Sequence, residues 1–95
     1  MENQNLSKIE REIEIINELG LHARPAAMLV QTANRFTSEV KIAKDGEMVN
    51  GKSIMGVMML AAAKGSKLKI IAEGDDAQRA VEELERLFLN KFGEE

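Results

Sequence analysis

The sequence predicts an α+β domain in which a four-stranded antiparallel sheet carries three helices on one face, in the order βαββαβα. Three observations lead there. Stretches with apolar residues at every second position alternate with stretches repeating every three to four. The Asp45-Gly46 pair is a two-residue hairpin signal, because the favoured turn needs positive φ at both positions. The connections are short, which suits antiparallel neighbours and a two-layer sandwich.

The elements follow in order. In Ile9–Ile16, Ile13 and Ile15 alternate with Glu12 and Glu14, a half-buried strand. Asn17–Arg24 is a loop. Pro25 suits the first turn of a helix, where its missing N–H would have no partner. In the helix from Pro25 to Phe36, Ala26, Leu29, Val30 and Ala33 form one stripe. Glu39–Lys44 is a second strand with Val40 and Ile42 on one face, and Glu47–Asn50 returns from the hairpin. Ser53 precedes a short apolar helix, Ile54–Ala62. Lys67–Glu73 alternates again, with Leu68, Ile70 and Ala72 apolar. Asp75 and Asp76 offer caps for a last helix, and Gln78 stands where a capping box with Asp75 would place it. That helix carries the stripe Ala77, Ala80, Val81, Leu84, Leu87 and Phe88, with Gly93 as its expected C-cap.

The chain has 95 residues, enough for one domain spanning 9–95, with residues 1–8 expected to be a disordered polar extension. Composition narrows the chemistry. There is no cysteine, which excludes thiolate metal sites and cysteine nucleophiles, and the single histidine, His22, excludes a multi-histidine metal site. Carboxylates show no spacing that marks a pair, and no metal or other cofactor is expected. Without Trp or Tyr, and with a net charge of −3, a nucleic-acid partner is disfavoured. The longest apolar run, Ile54–Ala63, is far below the ~20 residues of a membrane helix. No secretory signal is visible, so a cytoplasmic location is expected.

Two readings of His22 stand side by side. It sits at the mouth of the first helix, where unpaired N–H groups and a partial positive charge favour anions. Arg24 adds a guanidinium suited to phosphate oxygens. His22 is then a nucleophile whose phosphoryl adduct is held by the helix end and Arg24; otherwise it caps the helix, and Arg24 is solvated. Ser53 is an ordinary N-cap or a phosphorylation site. Ile54, Met55, Val57, Met58, Met59 and Leu60 make the second helix apolar nearly all round, as a helix buried under a loop or one facing a partner would be. Gly56 within it marks close packing or a short helix. Glu82, Glu83 and Glu85 read as a solvated face.

The segment Gly20-Leu21-His22-Ala23-Arg24-Pro25-Ala26-Ala27 resembles the active-site signature of the HPr family, the histidine-containing phosphocarrier proteins of the bacterial sugar phosphotransferase system. Lys52-Ser53-Ile54-Met55-Gly56-Val57-Met58 resembles the family's regulatory-serine signature, and Ala72–Asp76 the turn before its last helix. The resemblance covers roughly residues 10–90 and implies an open-faced β-sandwich.

It also implies a function. The protein would be no enzyme but a carrier, accepting a phosphoryl group from enzyme I on His22 Nδ1 and passing it to enzyme IIA domains. Arg24 would assist the phosphoryl group. Ser53 would be the target of HPr kinase/phosphorylase. Ala27, Ile54, Met55 and Met58 would form the partner-facing patch. Relatives that only regulate replace the histidine, which is present here. Gly51 departs from the larger apolar residue of many relatives. Three alternatives stay open: a regulatory module whose phospho-Ser53 form binds a transcriptional regulator, a carrier of a nitrogen-type branch, and an unrelated ligand-binding domain. A carrier that docks several partners in turn is expected to be a monomer.

Overall fold

The computed structural model describes residues 7–94. Strand β1 (Ser7–Glu14) leads to helix α1 (Ala23–Ala33), and the hairpin β2 (Glu39–Lys44) and β3 (Glu47–Asn50) follows. Helix α2 (Ile54–Met59), strand β4 (Lys67–Gly74) and helix α3 (Ala77–Leu89) complete the fold, with a 3-10 turn over Lys91–Gly93. The strands form one antiparallel sheet in the order β1-β4-β2-β3. The expected fold class and element order are therefore present.

Register explains the core. Ile13 pairs with Leu68, Val40 with Ala72 and Ile42 with Ile70. A two-residue period puts each of these on the helix-covered face, and all are buried. Against them pack Ala26, Leu29, Val30 and Ala33 of α1 and Ala80, Val81, Leu84 and Phe88 of α3. Pro25 lies in the first turn of α1 as expected, but that helix starts two residues earlier and ends three before Phe36. The hairpin turn has Asp45 at φ 51° and Gly46 at φ 85°.

Several expectations need correction. Ser7 and Lys8, assigned to the N-terminal extension, pair with Gly74 and Glu73 as the start of β1; the rest of that extension lies outside the described residues. Beyond Glu14, Ile15 still bonds to the backbone of Ser66 and Gly65. Helix α2 stops at Met59, three residues before Ala62, and Ala61 turns left-handed at φ 49°. Close packing does not require glycine at position 56, since a Cβ there would make only ordinary contacts, the nearest at 3.4 Å. No capping box forms at α3. Asp76 is the N-cap residue but makes no side-chain cap; its carboxylate accepts the Thr37 and Ser38 N–H groups, each at 2.9 Å, while Gln78 bonds Glu82. Gly93 ends the 3-10 turn, and Asn90 caps α3. Glu85 is not simply solvated, because it pairs with Arg11 and ties β1 to α3. Glu83 reaches Arg86 at 3.1 Å and Arg35 at 3.7 Å.

Gly51 follows from packing: a Cβ there would lie 2.6 Å from Val40 Cγ1, and its N–H already bonds Val40 O at 2.8 Å. No helix among the described residues is long and apolar enough to cross a membrane.

Candidate functional site

His22 is the N-cap residue of α1, with extended backbone at φ −82°. The cap expected of His22 is one of position only: its side chain makes no cap bond, although its carbonyl accepts the Ala26 N–H at 3.0 Å. The first-turn amides of Ala23 and Arg24 therefore lack a side-chain cap from His22, and Pro25 has none to offer. The first turn of α1 holds no acidic residue. The helix end is thus an uncapped cluster of donors, suited to an anion.

The loop before His22 is rigidly seated. Gly20 adopts φ 67° and lies so close to the next layer that a Cβ would stand 2.5 Å from Ala62 O. Leu21 N–H donates to that same carbonyl at 2.9 Å, tying the His22 loop to the segment just past α2. Asn17 is buried, and its Nδ2 donates to Gly20 O and to Glu94 Oε1, both at 2.9 Å.

Glu94 is the residue that local sequence reasoning missed. Its Oε2 lies 2.8 Å from His22 Nε2 while its Oε1 accepts from Asn17. The chain gets there through left-handed residues after α3: Lys91 at φ 55°, Phe92 at φ 53° and Gly93 at φ 76°. Phe92 anchors the turn, buried edge-on to Phe88 with ring centroids 4.8 Å apart. Burial raises the pKa of the Glu94 carboxyl. Hydrogen bonds from Asn17 and His22 and the charges of His22 and Arg24 outweigh this and hold it below the usual carboxylate value. An ionised carboxylate can only accept, so the imidazole turns an Nε2–H toward Glu94, and when the ring carries a single proton its lone pair is on Nδ1. Among the described residues Nδ1 has no hydrogen-bond partner. No buried signature, repeat or motif marks Asn17 or Glu94 in the sequence.

The other expected residues fall into two groups. Arg24 is exposed beside His22 and makes no hydrogen bond or ion pair among the described residues. Ser53 is the N-cap residue of α2, with its Oγ accepting the Gly56 N–H at 3.1 Å. Ala27 is half-buried on α1, against which α2 packs. Ile54, Met55 and Met58 are 43%, 75% and 42% exposed, and Met59 joins them at 68%. Only Val57 of α2 is buried, so the helix is held by one residue of its own and by Leu60 after it.

The site thus puts a histidine at an uncapped helix start, with an exposed guanidinium beside it and an exposed apolar surface on the neighbouring helix. Comparison with known proteins gives the family. The family model described as the PTS HPr component phosphorylation site matches residues 9–90. The chain is 48% identical over 87 residues to the phosphocarrier protein HPr of Treponema pallidum, covering 92% of this chain and 99% of that one. It is 55% identical over 76 residues to the HPr-like protein Crh of Halalkalibacterium halodurans, covering 80% and 90%. A crystal structure of HPr-C-His from Thermoanaerobacter tengcongensis matches with a TM-score of 0.89 at 52% identity, over 92% of this chain and 98% of that one. The chain belongs to the HPr family of phosphocarrier proteins of the phosphotransferase system.

Proposed function

We propose that this protein carries a phosphoryl group on His22 Nδ1, taking it from enzyme I and passing it to enzyme IIA domains in the cytoplasm, and that it works as a monomer. The observation that carries this reading is the pairing of His22 Nε2 with Glu94 at the uncapped start of α1. With the proton held on Nε2, Nδ1 attacks phosphorus and the N–P bond to the donor histidine breaks. The phosphoryl oxygens accept the Ala23 and Arg24 amides and the Arg24 guanidinium. A histidine of the acceptor then attacks in turn, and the His22 N–P bond breaks. Ala27, Ile54, Met55 and Met58 make the docking patch. The reading is tested by incubation with enzyme I and phosphoenolpyruvate, followed by intact mass. One acid-labile phosphoryl group is expected on the wild type and none on His22→Ala; an adduct at full yield on His22→Ala rules the site out.

A second role rests on Ser53 and on the similarity to Crh. HPr kinase/phosphorylase would phosphorylate Ser53, and the product would bind a transcriptional regulator. The added charge of up to two would stand beside Ile54 and Met55 and hinder enzyme I. Slower phosphorylation of His22 is expected in Ser53→Asp; equal rates in wild type and variant contradict the control. Service of a nitrogen-type branch would show as transfer to that branch's acceptor domain in preference to a sugar-specific one.

A further inference from the structure

The chain has six methionines but no Cys, Trp or Tyr, so its thioethers are the side chains most open to two-electron oxidation. Three of the six crowd onto one short helix. Met55 and Met59 stand one turn apart and are 75% and 68% exposed, and Met58 is 42% exposed. The grip of this helix on the core comes from Val57 and Leu60, at 0% and 3% exposure. Modifying the three sulfurs therefore changes a surface without removing a core contact. Met28, by contrast, is partly buried against the core, and Met48 stands apart on β3 at 54% exposure.

We propose that Met55, Met58 and Met59 form a reversible oxidation site through which a peroxide switches off docking at α2. In the step, the thioether sulfur attacks one oxygen of hydrogen peroxide. The O–O bond breaks, an S–O bond forms and water leaves. The sulfur loses two electrons and the peroxide gains them. The product sulfoxide is polar and prefers water to an apolar partner surface. Methionine sulfoxide reductases reverse the change. The proposal rests on the reading of α2 as the docking patch for phosphoryl transfer.

The test uses the full chain treated with hydrogen peroxide. Peptide mass mapping is expected to show oxidation at Met55 and Met59 first and at Met28 last, with thermal unfolding little changed. The rate of His22 phosphorylation by enzyme I at low carrier concentration is expected to fall about tenfold, through KM more than kcat. Reductase treatment restores it. The triple variant M55L/M58L/M59L is compared with its own untreated form, and peroxide is expected to leave its rate in place. Equal oxidation of Met28 and Met55 overturns the proposal. So does selective oxidation without loss of rate, which leaves the docking reading standing provided that Met55→Lys slows transfer in the same assay. Undiminished transfer by Met55→Lys removes the docking reading, and the redox control with it.

Discussion

His22 Nε2 and Glu94 Oε2 are 2.8 Å apart although 72 positions separate them in the chain. Because Asn17 holds the other oxygen of that carboxylate at 2.9 Å, Glu94 is oriented before any partner arrives. The contact selects the imidazole tautomer with its proton on Nε2 and its lone pair on Nδ1.

Glu94→Ala is therefore expected to slow His22 phosphorylation by a few-fold to about tenfold and to raise the share of the Nδ1–H tautomer seen by nitrogen NMR. Its pKa is lowered, so the carboxylate's contribution is present above the ordinary carboxylate value. It is lost only as pH falls through the lowered one. An unchanged tautomer ratio in the variant removes the positioning role.

Asp76 is expected to contribute to acid stability. Its carboxylate accepts from Ser38 Oγ and from the Thr37 and Ser38 backbone, and is lowered from 3.8 to about 2 by the Ser38 hydroxyl first and the Thr37 N–H next. A depressed carboxylate contributes stability that is fully present above its unfolded pKa and is lost as pH falls through its folded one. For Asp76 that window runs from 3.8 down to about 2. Asp76→Asn is expected to be less stable at pH 7 and to show a flatter loss across this window in urea unfolding. Parallel curves for the two proteins would contradict the assignment.

Gly20→Ala should combine two penalties. An L-residue at φ 67° is strained, and the new Cβ would meet Ala62 O at 2.5 Å and Ala63 Cα at 2.9 Å. Both obstacles are backbone and cannot rotate away. A loss of at least about 2 kcal/mol is expected in denaturant unfolding. Displacement of the His22 loop should also lower phosphorylation of the variant that remains folded.

Ala61→Gly should do the opposite. Ala61 follows the C-cap of α2 at φ 49° and is exposed, so the substitution relieves a left-handed alanine and removes only a surface methyl. The gain is offset in part by the freer unfolded chain. A net gain of about 0.5–1 kcal/mol is expected, read as a Tm raised by a few degrees. A lower Tm would show that Ala61 makes a contact that matters.

The strands and the two long helices were legible because their signals are local. Val40 and Ile42 alternate with Glu39 and Lys41, and the stripe Ala26, Leu29, Val30 and Ala33 repeats at helical spacing; the buried sets match. The end of α2 was not legible. Leu60 and Ala62 are both buried, so the apolar run carries on past the point where the helix stops. The stop is made by the backbone of Ala61, at a residue whose type does not announce it. The cap of α3 failed for a related reason. Asp76 had two sets of donors available, and the loop at Thr37 and Ser38 lay within reach only after folding.

The candidate site divides in the same way. The octet from Gly20 to Ala27 placed His22 and Arg24 at the start of a helix, since capping and proline preferences act over a few residues. Ser53 was likewise placed at a helix start, where its Oγ now accepts the Gly56 N–H. By itself, then, the sequence determined the fold class, the family and the position of the histidine. Only the tertiary structure decided which nitrogen of that histidine is held. That depends on Phe92 docking against Phe88 and on three left-handed residues turning the chain end back toward α1. A contact of that kind is a property of packing, and no short-range preference encodes it.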